Sequence, residues 1–73
     1  MKTLKDITLT DDQAALISAC INHCSEGGPL AHPKQSTFGF FYAKWALECV
    51  QKMKPKMNEA GTKIAEECET LLA

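Results

Sequence analysis

The sequence contains no arginine. Its eight basic residues are all lysine, and together with nine acidic residues they give a formal net charge of −1 at pH 7. Proteins that bind duplex nucleic acid use a basic surface, and commonly arginine, to contact phosphates and base edges. We therefore expect no duplex nucleic acid partner. A small anionic ligand is not excluded, because one or two charges and a few backbone amides are enough to hold it.

The sequence also lacks a long apolar run. The segment Met1 to Asp6 carries lysines, but no apolar stretch of about 7–15 residues follows it, so we expect no signal peptide. No stretch approaches the roughly 20 apolar residues of a membrane-spanning helix, so we expect no membrane partner. Both absences predict a cytoplasmic protein. In a reducing cytosol the four cysteines should remain thiols; they are Cys20, Cys24, Cys49 and Cys68.

Hydrophobic residues make up 45% of the 73 residues, which is typical of a globular chain and too high for a disordered one. The length allows one domain, residues 1–73. A chain of this size buries only about 60% of its unfolded surface, and such domains often gain stability from disulfides, metals or oligomerisation. The patterns described below predict an all-α fold, a hairpin or bundle of two or three helices.

The first helix is predicted over residues 10–26, after an N-terminal arm of residues 1–9. Thr10 and Gln13 have the spacing of a capping box, and two aspartates follow Thr10 at the positive end of the helix dipole. Apolar residues recur at intervals of three and four, which predicts a face directed to the core; they are Ala14, Ile17, Ile21 and Cys24, with Leu16 and Cys20 beside them. Gly27-Gly28-Pro29 ends the helix and begins a loop over 27–36.

The second helix is predicted over residues 37–54, with Ser36 or Thr37 as its cap. Its polar face consists of Lys44, Glu48, Gln51 and Lys52. The other residues form two apolar stripes, the first Phe38, Phe41, Tyr42, Trp45, Cys49 and Met53, the second Phe40, Ala43, Leu47 and Val50. A helix that is apolar on two sides is buried on two sides. We expect another copy of the chain to cover the second stripe, in a homo-oligomer. The alternative is that the C-terminal segment folds back over it.

Residues 55–72 admit two interpretations. The apolar stripe continues through Pro55 without a change of phase, which favours one long kinked helix. Alternatively, a separate third helix begins with Pro55 in its first position or with Asn58 as its cap. Gly61 weakens continuity and favours the distinct or sharply kinked helix.

The cysteines and histidines are the candidate chemical groups. Cys20 and Cys24 lie one helical turn apart with His23 between them, but the spacing is not that of a zinc finger. All four cysteines fall on apolar stripes, where a free thiol packs as a small hydrophobic group. We expect no metal and no cofactor. Because no acid, nucleophile and histidine form a recognisable catalytic arrangement, we also predict no catalytic residue and no enzyme activity. His23 should lie at the surface.

The strongest functional signal is the start of the second helix. A cation, two hydroxyls and free backbone amides meet there, which is the arrangement that receives a phosphate or carboxylate. Aromatic rings follow, and stacking on such rings contributes about 1–3 kcal/mol per nucleobase. The predicted ligand-binding residues are His32, Lys34, Ser36, Thr37, Phe38, Tyr42 and Lys44. The plainer alternative is that the hydroxyls cap the helix and the rings fill the core.

A lysine run surrounds Pro55 and consists of Lys52, Lys54 and Lys56. Such a run either helps to bind an anion across an oligomer interface or forms a solvated helix end, where cations are favourable to the negative end of the dipole.

Three segments of the chain carry a resemblance to a known family. They are Leu9-Thr10-Asp11-Asp12-Gln13-Ala14-Ala15-Leu16-Ile17, Gly39-Phe40-Phe41 and Ala43-Lys44-Trp45-Ala46-Leu47-Glu48-Cys49-Val50. Over about residues 9–53 the chain resembles the small phage helical-hairpin proteins that sequester cyclic nucleotide immune signals, the anti-CBASS and anti-Thoeris sponges. The resemblance implies a hairpin assembled into a symmetric oligomer. It also implies that cyclic dinucleotides or ADP-ribose-type signals bind between subunits without turnover.

The chain differs from that family in two respects: its second helix lacks arginine, and it continues past Pro55 to Ala73. Only Lys44 stands near the place of the expected basic residue. Two function hypotheses follow. The first is sequestration of a small anionic nucleotide-like signal, as a phage inhibitor of bacterial immune signalling. The second is a helical regulator that docks the face formed by Phe40, Leu47 and Val50 on a host protein.

Overall fold

The computed structural model describes residues 4–24 and 43–73, and in these ranges the chain is an all-α bundle. Helix α1 spans Asp11–Cys24, α2 spans Ala43–Met53 and α3 spans Glu59–Leu72. A short 3-10 helix, Leu4–Asp6, precedes α1, and another, Lys54–Lys56, joins α2 to α3. Each of the three α-helices packs against the other two. The predicted all-α fold is confirmed, and these ranges contain no strand.

Helix α1 begins with the predicted capping box. The Gln13 backbone N–H donates to Thr10 Oγ1 at 3.1 Å, and the Thr10 backbone N–H donates to Gln13 Oε1 at 3.0 Å. These two bonds satisfy donors that have no partner within the first turn of a helix. The first backbone hydrogen bond of the helix runs from Ala14 N–H to the Thr10 carbonyl at 2.9 Å. The start of α1 is therefore determined locally.

The core-facing side of α1 is the predicted one. Ala14, Ile17 and Ile21 are buried, and Cys20 is buried beside them. Cys24, the last residue of α1, is half-buried, as is Leu16. The predicted helix end at residue 26 and the predicted loop over 27–36 lie outside the described residues. No helix in the described ranges is long and apolar enough to cross a bilayer.

The set of buried residues on helix α2 differs from the expectation. Its predicted polar face is confirmed, because Lys44, Glu48, Gln51 and Lys52 are all exposed. The buried residues are Ala43, Ala46, Cys49 and Val50, a single arc that takes members from both predicted stripes.

The predicted oligomer face requires a correction. Ala43 and Val50 are 1% and 0% exposed within the single chain, where α2 packs on both α1 and α3, so neither can face a second copy. The packing of α3 against α2 agrees with the alternative, in which the C-terminal segment folds back. Leu47 is half-buried at the edge of the arc, and Phe40 lies outside the described residues.

The segment after α2 is a turn followed by a separate helix. Pro55 lies in the 3-10 helix, and Asn58 caps α3 by accepting the Gly61 backbone N–H at Oδ1, 2.8 Å away. This confirms the interpretation that Asn58 begins a distinct third helix. The 3-10 turn redirects the chain, so Ala65, Cys68 and Leu72 reach the same core as α1 and α2.

Polar contacts and the N-terminal arm complete the packing of the three helices. Gln13 Nε2 donates to Glu67 Oε1 at 3.1 Å, and Cys68 Sγ lies 3.8 Å from the Gln13 carbonyl oxygen as a weak donor. Leu4 and Leu9 of the arm are each 5% exposed and join the core. These contacts hold the start of α1 against the C-terminal half of α3.

Candidate functional site

The ligand-binding residues predicted from the sequence lie almost entirely outside the described residues. This applies to His32, Lys34, Ser36, Thr37, Phe38 and Tyr42. Lys44 is described, and it is exposed on α2. The structure therefore places one cation of the predicted site at the surface, and the prediction about the other residues stays a prediction.

A different surface feature joins separate elements of the bundle. Between α1 and the turn after α2 lies a groove of about 260 Å³, lined by Leu16, Ala19, Cys20, His23, Met53, Lys56 and Met57. We refer to these seven residues as the methionine groove. The α1 residues are spaced by three, four and seven positions from Leu16, so they lie along one edge of the helix. The two methionines flank the turn that contains Pro55.

The floor of the methionine groove is apolar and its rim is basic. Leu16, Met53 and Met57 are half-buried, which leaves part of each side chain on the groove surface. His23 and Lys56 are exposed and line the same groove. The surface position predicted for His23 is confirmed. The arrangement combines an apolar anchor site with basic groups at its edge.

The lysine run around Pro55 does not act as one cationic patch. Lys54 Nζ lies 2.8 Å from Glu69 Oε1, and this carboxylate raises the pKa of Lys54. The pair ties the turn to α3, because Glu69 belongs to that helix. Lys52 and Lys56 are exposed, in agreement with the expectation of a solvated helix end.

Three of the four thiols are buried. Burial raises the pKa of Cys20 and of Cys68 to about 11, and burial together with the Cys24 thiol raises the pKa of Cys49 to about 12. These raised pKa values accord with thiols that pack as small apolar groups in the core. All four cysteines are free thiols. Across the described ranges, no group of three or more histidine, cysteine, aspartate or glutamate side chains is placed to hold a metal ion.

The fourth thiol belongs to another small cavity. Cys24 is half-buried at the end of α1, and it lines a cavity of about 220 Å³ together with Trp45, Glu48, Cys49 and Lys52 of α2. The cavity joins a half-buried cysteine to a buried one across the α1–α2 contact.

A wider depression of about 730 Å³ runs along α3. Its lining residues are Met57, Glu59, Ala60, Thr62, Lys63 and Glu66, and all of them except Met57 belong to that one helix. Binding sites are usually concave and form between elements. The methionine groove meets that description better, although it is smaller.

The chain has no significant match among protein-family models, curated proteins or solved structures. The chemistry of its own surface is therefore the basis for a functional proposal.

The sequence interpretation missed the methionine groove. It placed Met53 in an apolar stripe and left open whether that stripe continues through Pro55, whereas the turn leaves both Met53 and Met57 partly exposed. One signal was present: two flexible apolar side chains, four residues apart, flank the only proline of the C-terminal half.

Proposed function

We propose that this protein is a non-enzymatic binding module, and that its methionine groove receives an apolar anchor from an amphipathic helix of another protein. The observation that carries the proposal is the pair of half-buried methionines, Met53 and Met57, facing Leu16 across a groove between two elements. Binding of a helix in an apolar groove is a recurrent mode of protein recognition.

The size of the groove favours an anchor side chain over a whole small molecule. Pockets that enclose small-molecule ligands have volumes of about 300–1,000 Å³. The groove measures about 260 Å³ and is bordered mainly by apolar atoms of Leu16, Met53 and Met57. One or two apolar side chains fill such a space, and buried anchors of this kind supply most of the affinity of a protein interface. Methionine adapts its shape to the anchor because its side chain is unbranched and flexible.

Charge at the rim indicates the chemistry of the partner helix. Lys56 is exposed beside the groove, and the polar ring of His23 lies at the same rim. An acidic residue next to the apolar anchor complements these groups, and such rim charges contribute to orientation and specificity. The expected partner is therefore a helix with an apolar face and an acidic flank.

The test starts from a display library of random helical peptides selected on the purified protein. Selected peptides should combine apolar anchors with acidic residues. The chain has three methionines, Met1, Met53 and Met57, so labelled methyl groups give a simple NMR spectrum. We expect the Met53 and Met57 signals to shift on addition of a selected peptide and the Met1 signal to remain in place.

Leu16→Glu should abolish peptide binding because it places a charge on the groove floor. Ala15→Glu is the matched control, since Ala15 is the neighbouring residue and is exposed on α1. Both variants should keep a helical circular dichroism spectrum. Peptides that bind Leu16→Glu as well as the original chain would rule out this groove. Occupation by a second copy would instead appear as concentration-dependent methyl shifts without any peptide.

A second candidate function is the sequestration of a small anionic nucleotide-like ligand. It is supported by the exposed position of Lys44 on α2 and by the family resemblance of residues 9–53. Calorimetry with cyclic dinucleotides and ADP-ribose derivatives tests it directly. Binding should weaken in Lys44→Ala and disappear when Lys34 and Tyr42 are replaced by Ala. Flat traces for every ligand would remove this candidate and leave the peptide proposal intact.

A further inference from the structure

We propose that Cys24 and Cys49 form a site of reversible oxidation, at which a low-molecular-weight disulfide converts the two thiols into an intramolecular disulfide. The bond would join α1 to α2. This modification is independent of the methionine groove, since neither residue lines it.

The geometry brings these two thiols together. Cys24 and Cys49 both line the cavity of about 220 Å³ between α1 and α2, and the Cys24 thiol helps to raise the pKa of Cys49. Both residues are free thiols. The two residues belong to helices that pack directly against each other, so α1 and α2 are already adjacent in the reduced chain.

The four cysteines differ in solvent exposure, and this difference favours reaction at the Cys24–Cys49 pair. Cys20 and Cys49 are each 3% exposed and Cys68 is fully buried, whereas Cys24 is half-buried. Cys68 also directs its thiol to the Gln13 carbonyl oxygen, 3.8 Å away. Thiol–disulfide exchange requires access to the attacking sulfur. An oxidant from solution therefore reaches Cys24 first, and Cys49 is its buried partner in the same cavity.

The reaction proceeds by two balanced exchanges. The Cys24 thiolate attacks one sulfur of the low-molecular-weight disulfide, forming a mixed disulfide and displacing one thiolate, which takes up the proton that Cys24 lost. Cys49 then loses its proton and attacks the Cys24 sulfur of the mixed disulfide. The second displaced thiolate takes up that proton. Two protein thiols are oxidised, and one small disulfide is reduced to two thiols.

The order of attack follows from the environment of the buried thiol. Burial and the neighbouring Cys24 raise the pKa of Cys49 to about 12, so this thiol stays protonated at neutral pH and does not begin the exchange. Once Cys24 holds the small thiol, resolution requires only contact between the two sulfurs. The bond should therefore form slowly and only at this pair in the folded chain.

The experiment exposes the folded, reduced protein to oxidised glutathione and follows its intact mass. We expect a mass loss equal to two hydrogen atoms, a fall in titratable thiols from four to two, and full reversal by dithiothreitol. Cleavage after lysine places Cys49 in peptide 45–52 and Cys68 in peptide 64–73, while peptide 6–34 carries both Cys20 and Cys24. Mapping in a Cys20→Ser background therefore assigns the bond to Cys24 without ambiguity.

Three variants separate the proposal from nonspecific oxidation. Cys49→Ser should stop at a stable mixed disulfide on Cys24, and Cys24→Ser should keep its remaining thiols reduced. Cys20→Ser is the matched control, one helical turn from Cys24, and should oxidise as the original chain does. All variants are checked for helical circular dichroism. A bond from Cys20 to Cys24 or Cys68, a persistent mixed disulfide in the original chain, or no oxidation at all would each overturn the proposal.

Discussion

Gln13 links local and long-range structure through a single side chain. Its Oε1 accepts the Thr10 backbone N–H at 3.0 Å, and its Nε2 donates to Glu67 Oε1 of α3 at 3.1 Å. The residue is 8% exposed, so these partners satisfy an amide that is nearly shielded from water. The capping box is visible in the sequence because its members are three residues apart. The bond to Glu67 spans 54 positions and depends on how α3 packs.

Replacing Thr10 by Ala should lower the free energy of unfolding by about 1 kcal/mol, because the Gln13 backbone N–H loses its acceptor at the start of α1. Urea unfolding monitored by circular dichroism measures the change. Thr8→Ala is the control, since Thr8 is exposed and precedes the helix, and it should change the value by less than about 0.5 kcal/mol. Equal effects of the two substitutions would show that the cap does not stabilise the fold.

The buried thiols predict a loss of stability in alkaline solution. The ordinary thiol pKa is 9.0, whereas burial raises that of Cys20 and Cys68 to about 11 in the folded chain. Between these values the unfolded chain loses protons that the folded chain retains. The free energy of unfolding should therefore be insensitive to these thiols below pH 9 and fall as the pH rises toward 11, by about 1 kcal/mol per pH unit for each thiol.

Urea unfolding at several pH values between 7 and 10.5 measures this slope. The raised pKa of Lys54 adds to the decline only as the pH approaches 10.5, the ordinary value for this amine, so the slope at lower pH reports the thiols. Cys68→Ala should have a lower stability at neutral pH and a shallower alkaline decline. An identical slope in the variant would contradict the role assigned to burial.

Among the single elements, the start of α3 shows how a glycine allows a capping side chain to approach the backbone closely. Gly61 donates its backbone N–H to Asn58 Oδ1 at 2.8 Å. A Cβ at this position would lie 3.2 Å from that oxygen and 3.3 Å from Met57 Cβ. The close approach of the cap therefore depends on the absence of a side chain. In the sequence the same glycine merely indicated that a continuous helix was less favourable.

Gly61→Ala should fail to stabilise the protein. Alanine in a helix is favoured over glycine by about 1 kcal/mol, but here the added Cβ must displace Asn58 or Met57. We expect the free energy of unfolding to stay level or to fall. Thermal and urea unfolding of the variant give the comparison, and repeating the substitution in an Asn58→Ala background is the control. A gain of the full amount with the cap intact would contradict this account of Gly61.

At the scale of the whole molecule, the covering of α2 decides which residues remain available to partners. Val50 is fully buried because α2 packs against both α1 and α3. Leu47, in contrast, keeps part of its surface exposed. The two residues belong to one predicted stripe, yet only one can take part in an external contact. The two residues differ because they occupy different positions relative to α1 and α3.

Val50→Asp should leave the chain largely unfolded, because an unpaired charge in the core costs several kcal/mol and a small domain has only about 5–15 kcal/mol to lose. Gln51→Asp, the neighbouring exposed position, should remain folded. Circular dichroism and urea unfolding measure both. A folded Val50→Asp variant of unchanged stability would mean that this side of α2 is not covered by the chain itself.

Self-assembly stays a prediction, and Leu47 is the described residue through which it can now be tested. If α2 contacts a second copy, Leu47→Glu should reduce the mass found by light scattering while the helical spectrum is retained. The original chain measured over a range of concentrations is the reference. A monomeric mass for the original chain at all concentrations would remove the homo-oligomer from both binding hypotheses.

Much of the fold could be predicted from the sequence, since it depends on neighbours three or four residues apart. The capping box at Thr10, the buried face of α1 and the polar face of α2 all follow that rule. The choice between a kinked helix and a turn at Pro55 could not be made, because the apolar spacing is the same in both. The methionine groove was missed for the same reason: exposure of Met53 and Met57 depends on the turn.

By itself the sequence determined that the chain forms helices, where α1 begins, and which residues of α2 face solvent. Each of these features depends on hydrogen bonds or periodicity within a few residues. The packing of α2 against both α1 and α3, the cavity that Cys24 and Cys49 share and the groove beside Met53 became visible only in the three-dimensional fold. These features join residues far apart in the chain, and the packing of the three helices determines them.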